Sequence, residues 1–226
     1  MIYTIHRTNQ PPRYRGEWND TVWQHAEIAS IEKFHPQSSA FRPKTEVKAL
    51  YDDTNVYIIF RVQDQFIKAT YTTYQDPVYR DSCVEFFVMP MSPERGAAGY
   101  FNVEMNGLGM MLLYYIEDAT RTTQGFEKFT KIPQERLRGM TIFHSIPAPM
   151  QEELTTPLEW IVEYNLPFSL FEAYLGELRP IAGTRWRGNF FKCGDDTSQP
   201  HWASWSPIGE ALNFHQPDKF GLLQFA

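Results

Sequence analysis

Val47-Lys48-Ala49-Leu50-Tyr51-Asp52-Asp53-Thr54-Asn55-Val56-Tyr57-Ile58-Ile59-Phe60-Arg61-Val62 is the stretch on which the fold turns. Val47, Ala49 and Tyr51 fall at every second position, and Val56, Ile58, Phe60 and Val62 repeat the pattern. Period two places each set on one face of an extended strand. Between them, Asp52-Asp53-Thr54-Asn55 supplies residues that tolerate left-handed backbone and bond their own main chain. The segment reads as a β-hairpin with one face in a core.

The same signature recurs along the chain. Val84, Phe86 and Val88 form a strand closed by Pro90 and Pro93, which have no N–H for a ladder. Phe101, Val103 and Met105 alternate with Asn102, Glu104 and Asn106, and Asn106-Gly107 turns the chain into Met110 to Ile116. Further strands are read at Met140 to Ile146, Leu158 to Leu166, Arg185 to Cys193 and Phe220 to Phe225. Helical signal is confined to a short helix opening at Pro167-Phe168-Ser169-Leu170-Phe171 and a turn at Gln134 to Leu137. About nine short strands separated by turns predict an all-β fold with very little helix: an antiparallel β-sandwich of jelly-roll or immunoglobulin-like type. With no repeat and no linker, residues 1–226 read as a single domain.

Composition narrows the function. Of 226 residues, 42% are hydrophobic and 15% aromatic, enough for a large core and for aromatic ligand walls. A net charge of -6 without a basic run excludes a nucleic-acid footprint. No apolar run approaches the roughly 20 residues that span a bilayer. The start, Met1 to Arg7, lacks the pattern of a secretion signal, which makes the cytoplasm the default expectation. Cys83 and Cys193 have no zinc spacing and read as buried free thiols unless the fold brings them together. No serine-hydrolase elbow, Walker loop or HExxH occurs. The outward strand positions hold Glu85, Glu104, Glu159 and Glu163, read as half-exposed carboxylates with no identifiable acid/base pair. An enzyme is therefore not expected.

Several segments, taken in order, resemble family 9 carbohydrate-binding modules and their relatives in the DOMON-type sandwich group. They are Gly16-Glu17-Trp18-Asn19-Asp20-Thr21-Val22-Trp23, Leu50-Tyr51-Asp52-Asp53-Thr54-Asn55-Val56-Tyr57-Ile58, and Asp81-Ser82-Cys83-Val84-Glu85-Phe86-Phe87. Trp160-Ile161-Val162-Glu163-Tyr164-Asn165-Leu166-Pro167, Trp205-Ser206-Pro207 and Pro217-Asp218-Lys219-Phe220-Gly221 complete the set.

The resemblance implies a mono- or oligosaccharide ligand held between two aromatic rings at one end of the sandwich, in support of carbohydrate breakdown. Counting from the matched strands puts Tyr79 at the first ring position, with Val78 as the alternative because of one extra residue near Cys83, and Phe214 at the second. The family's rings are usually tryptophans, so this chain departs there. Glu85 matches a position that accepts sugar hydroxyls, and Asn102 and Glu104 lie on a strand that could add to it. No cofactor is required; the family often holds structural calcium, for which Asp64 and Asp81 are the candidates against an ordinary turn role. The resemblance also implies a periplasmic or extracellular place, and leaves any catalytic partner protein unknown. The alternatives are a haem-binding DOMON-like domain, using methionines such as Met89, Met91, Met105, Met110 or Met111, and an interaction or accessory domain without sugar affinity.

Overall fold

The computed structural model describes residues 1–91 and 96–226, so Pro93 lies outside the described residues. Fourteen strands and one α-helix are present among them: β1 (Ile2–Arg7), β2 (Ala29–Ser30), β3 (Lys33–Phe34), β4 (Lys44–Tyr51), β5 (Asn55–Asp64), β6 (Cys83–Met89), β7 (Tyr100–Asn106), β8 (Met111–Thr122), β9 (Gly125–Lys131), β10 (Ile142–His144), β11 (Leu158–Pro167), α1 (Phe168–Leu175), β12 (Arg185–Cys193), β13 (Trp202–Ser204) and β14 (Gly221–Phe225). The hairpin that opened the reading is β4–β5, with Ala49 opposite Ile58. The Asp52 carboxylate holds its turn by accepting from the Thr54 and Asn55 backbone N–H groups. Pro167 precedes α1, and Gln134–Leu137 forms a 3-10 turn, both as read. No helix among the described residues is long and apolar enough to cross a membrane.

The strands make two layers. One runs β10-β11-β5-β4 and the other β14-β12-β6-β7-β8-β9, and β1 links them. Alternate residues of both layers meet in one core: Val47, Ala49, Phe60, Trp160 and Val162 from the first, and Val84, Phe86, Val103, Trp186 and Phe190 from the second. Phe60 meets Phe190 edge to face across the layers at 6.2 Å. The fold is thus an all-β sandwich. It is antiparallel except at β1, which pairs in parallel with β14 through Ile2–Ile5 and with β4 through His6–Arg7.

Both outer faces are partly covered, which is where the reading of half-exposed glutamates fails. On the first layer, Trp18 and Trp23 from the N-terminal segment pack over Leu50, Tyr57 and Ile59. There the Glu163 carboxylate accepts from Gly16 N at 2.8 Å and Trp23 Nε1 at 3.1 Å, and is buried. On the second layer, Ile208, Phe126 and Phe220 pack over Phe87, Tyr100, Ile116 and Phe191. Glu85 and Glu104 are buried on that face, while Glu159 remains exposed. Charged side chains opposite an apolar set signal solvent only where nothing folds back over the sheet.

Candidate functional site

Strand register builds the site. On the outer face of the second layer, Trp202, Cys193, Cys83 and Asn106 stand side by side across β13, β12, β6 and β7. Two residues along, Phe191, Glu85, Glu104 and Leu112 form the next row, and Phe87, Asn102 and Tyr114 the one beyond. Period two keeps all three rows on one face. Above them lies a cavity of about 490 Å³, lined among others by Tyr79, Glu85, Asn102, Glu104 and Phe214. All five residues singled out from the sequence therefore meet at one cavity. It opens on a sheet face rather than at an end of the sandwich, because the glutamates that floor it lie mid-strand.

The walls are aromatic. Phe214 is half-buried and stacks on Phe191 with ring centroids 4.1 Å apart and planes 13° from parallel. Tyr79 is half-buried and lines the cavity, whereas the alternative, Val78, is fully buried below it. Trp202, Tyr114, Phe126, Phe129 and Arg121 also line it and were not singled out from the sequence. Trp202 is held by its Nε1–H, which donates to Asp195 Oδ1 at 2.7 Å. Alternation could have found Trp202, since Ala203 and Trp205, one and three residues further on, go to the core. Phe126, Phe129 and Arg121 arrive on the β8–β9 arm, whose register shifts between Ile116 and Arg121 mark bulges that bend a ribbon.

The floor is acidic. Asn102 Nδ2 donates to Glu104 Oε1 at 2.7 Å, and Asn102 Oδ1 accepts from Tyr114 N at 2.8 Å, which orients both side chains. The Cys193 thiol donates to Glu85 Oε1 at 3.1 Å. The second oxygens, Glu85 Oε2 and Glu104 Oε2, are buried and have no hydrogen-bond partner. Burial raises the Glu104 carboxyl to about 8 and that of Glu85, with the Cys193 sulfur adjacent, well above the usual carboxylate range. Burial also pushes the Cys83 thiol up to about 12. His215, at the rim, is lowered to about 3 by burial and by Arg121, and its Nδ1 lies 2.9 Å from Tyr100 Oη.

The calcium candidates are engaged elsewhere. Asp81 accepts from the Thr70 and Tyr71 backbone N–H groups, the Thr70 hydroxyl and the Asn106 amide, all within 2.9 Å. Asp64 accepts from Gln65 N and Trp160 Nε1 and faces the fully buried Lys192 Nζ at 3.5 Å. Calcium needs several free oxygens, and these carboxylates do not fit it.

A β-sandwich with an aromatic-walled, acid-floored cavity on one sheet face has the build of a small-molecule binding module. The family model for carbohydrate-binding family 9 matches residues 20–225, and the chain belongs to that family. A Bacteroides uniformis protein assigned provisionally to carbohydrate binding is 25% identical, with a TM-score of 0.84 over 100% of this chain and 99% of that one. A family 9 module of Caldicellulosiruptor kristjanssonii, solved with cellotriose, is 16% identical, with a TM-score of 0.61 over 100% of this chain and 93% of that one. Its glucose complex gives 16% and 0.59 over 99% and 95%. No curated protein matches.

Proposed function

We propose that the cavity on the outer face of the second layer binds a mono- or oligosaccharide without altering it, in support of carbohydrate breakdown. The observation that carries this is an aromatic-walled cavity lined by Glu85 and Glu104, each of which has a buried carboxyl oxygen without a hydrogen-bond partner. A sugar is suited to such a site: its C–H faces pack on rings while its hydroxyls donate to oxygen acceptors at the edges. Tyr79 and Phe214 supply ring faces, and Trp202, fixed by Asp195, adds the larger platform that the family resemblance leads one to seek. Asn102 holds Glu104 in place. Neither Asp64 nor Asp81 holds calcium in this reading, and binding needs no added ion.

The haem alternative fits less well. No methionine is among the residues lining the cavity, and Met105 and Met111 point to the opposite face, into the core. Titration calorimetry against mono- and oligosaccharides, glucose and cellotriose included, tests the proposal, with and without a chelator. Saturable binding at about 1 mM to 1 μM is expected, weakened about tenfold or more in Tyr79→Ala and in Phe214→Ala. Absence of binding to every sugar, or release of the aglycone from an aryl glycoside, would overturn it.

A further inference from the structure

Cys83 and Cys193 are 110 residues apart in sequence yet stand directly opposite each other on β6 and β12. Glu85 lies two residues along β6 and so projects to the same face. One Sγ from each cysteine and one carboxylate oxygen of Glu85 all lie within 4.8 Å of one another, and all three residues are buried. Both cysteines are free thiols. Cys193 Sγ and Glu85 Oε1 are 3.1 Å apart, and Glu85 Oε2 has no partner. We propose that Cys83, Cys193 and Glu85 form a site for a thiophilic divalent cation, zinc in the first instance, at the floor of the cavity.

The donor set and spacing support this. Zinc–sulfur and zinc–oxygen bonds of about 2.3 and 2.1 Å give a tetrahedron with edges of roughly 3.5 to 3.8 Å, so the three donors need to shift by about 1 Å or less. Two sulfurs select zinc over the hard cations calcium and magnesium, which take oxygen ligands. Glu85 and Cys193 both line the cavity, so an ion has a route in and its fourth position faces the open space, where water or a ligand oxygen can sit. Glu85 Oε1 lies against Cys193 and would take the metal. The site would bridge β6 and β12 at mid-sheet. The proposal stands on the cysteine pair and Glu85, and does not depend on the saccharide reading.

The test is a cobalt(II) titration of the reduced, chelator-treated full chain, followed by displacement with zinc. One equivalent should produce thiolate-to-cobalt charge transfer and the visible bands of tetrahedral cobalt, and zinc should abolish both. Cys83→Ser and Cys193→Ser should each cut the charge-transfer intensity to about half or less, and Glu85→Gln should keep the band while binding more weakly. Zinc should raise the Tm of the wild type and not that of the doubly substituted Cys83→Ser, Cys193→Ser chain. No thiolate band in the wild type at one equivalent, or metal binding undiminished in the double variant, would sink the proposal. Running the sugar panel with and without zinc separates the two ideas: sugar binding with no cobalt band removes only the metal site, and a cobalt band with no sugar binding removes only the saccharide.

Discussion

Glu104 has one oxygen held by the Asn102 amide and the other buried without a partner. Burial raises its carboxyl from an ordinary 4.5 to about 8. Between those two values the folded chain keeps a proton that the unfolded chain has released, so this residue's contribution to stability falls as pH rises through that window. Glu104→Gln should therefore match the wild type at pH 4 and exceed it at pH 9 by on the order of a few kcal/mol, read from urea denaturation at both pH values. The same offset at both would show that the carboxyl proton is not responsible. That Glu85, Asn102 and Glu104 share a face was legible from alternation against Val84, Phe86, Val103 and Met105. Their burial was not. Phe214, which stacks on Phe191 over the same face, follows about a hundred residues later, and nothing local to β6 or β7 announces that it folds back.

Among the elements, β1 carries an unusual duty. Ile2–Ile5 pair with β14 in one layer and His6–Arg7 with β4 in the other, so six residues stitch both sheets. Its inward residues Tyr3 and Ile5 are buried in the shared core, and the Tyr3 hydroxyl accepts from Ala49 N at 2.8 Å and donates to Glu27 O at 2.7 Å. Ile5→Ala should cost about 2 to 5 kcal/mol in chemical denaturation, since the cavity it leaves is bounded by two sheets that cannot both relax. A loss below about 1 kcal/mol would show that the junction adapts. The long strands β4, β5, β6, β7, β11 and β12 were all legible, because five or more residues suffice to display a period. β2 and β3, with two residues each, and β13, with three, display none, and a parallel partner such as β14 leaves no turn signal beside β1. β9 was missed because its arm stands mostly in solvent, and Phe126 and Phe129, three residues apart among Glu127, Lys128, Thr130 and Lys131, show no period of two.

At the scale of the whole molecule, opposed buried groups shape the response to pH. Burial lowers His201, beside Lys192, and His215, beside Arg121, from 6.5 to about 3. On acidification the unfolded chain takes up protons there that the folded chain refuses, so stability falls as pH drops below about 6.5. Glu85 and Glu104 act in the other direction, withdrawing stability as pH rises above about 4.5. Where the windows overlap the slopes cancel, so Tm should be nearly flat from roughly pH 4.5 to 6.5 and fall on both sides. A Tm maximum at pH 8 would contradict this. The parallel pairing of β1 with β14 also bears on synthesis. At about 5 to 20 residues per second, β14 leaves the ribosome on the order of ten seconds or more after β1. Throughout that interval the hydrogen-bonding edge of β1 that β14 will fill stands open, joined near the end by the matching edge of β12 once Arg185–Cys193 has been made. Open edges of this kind recruit other chains. A chain stopped short of Gly221 never closes the seam and is expected to aggregate.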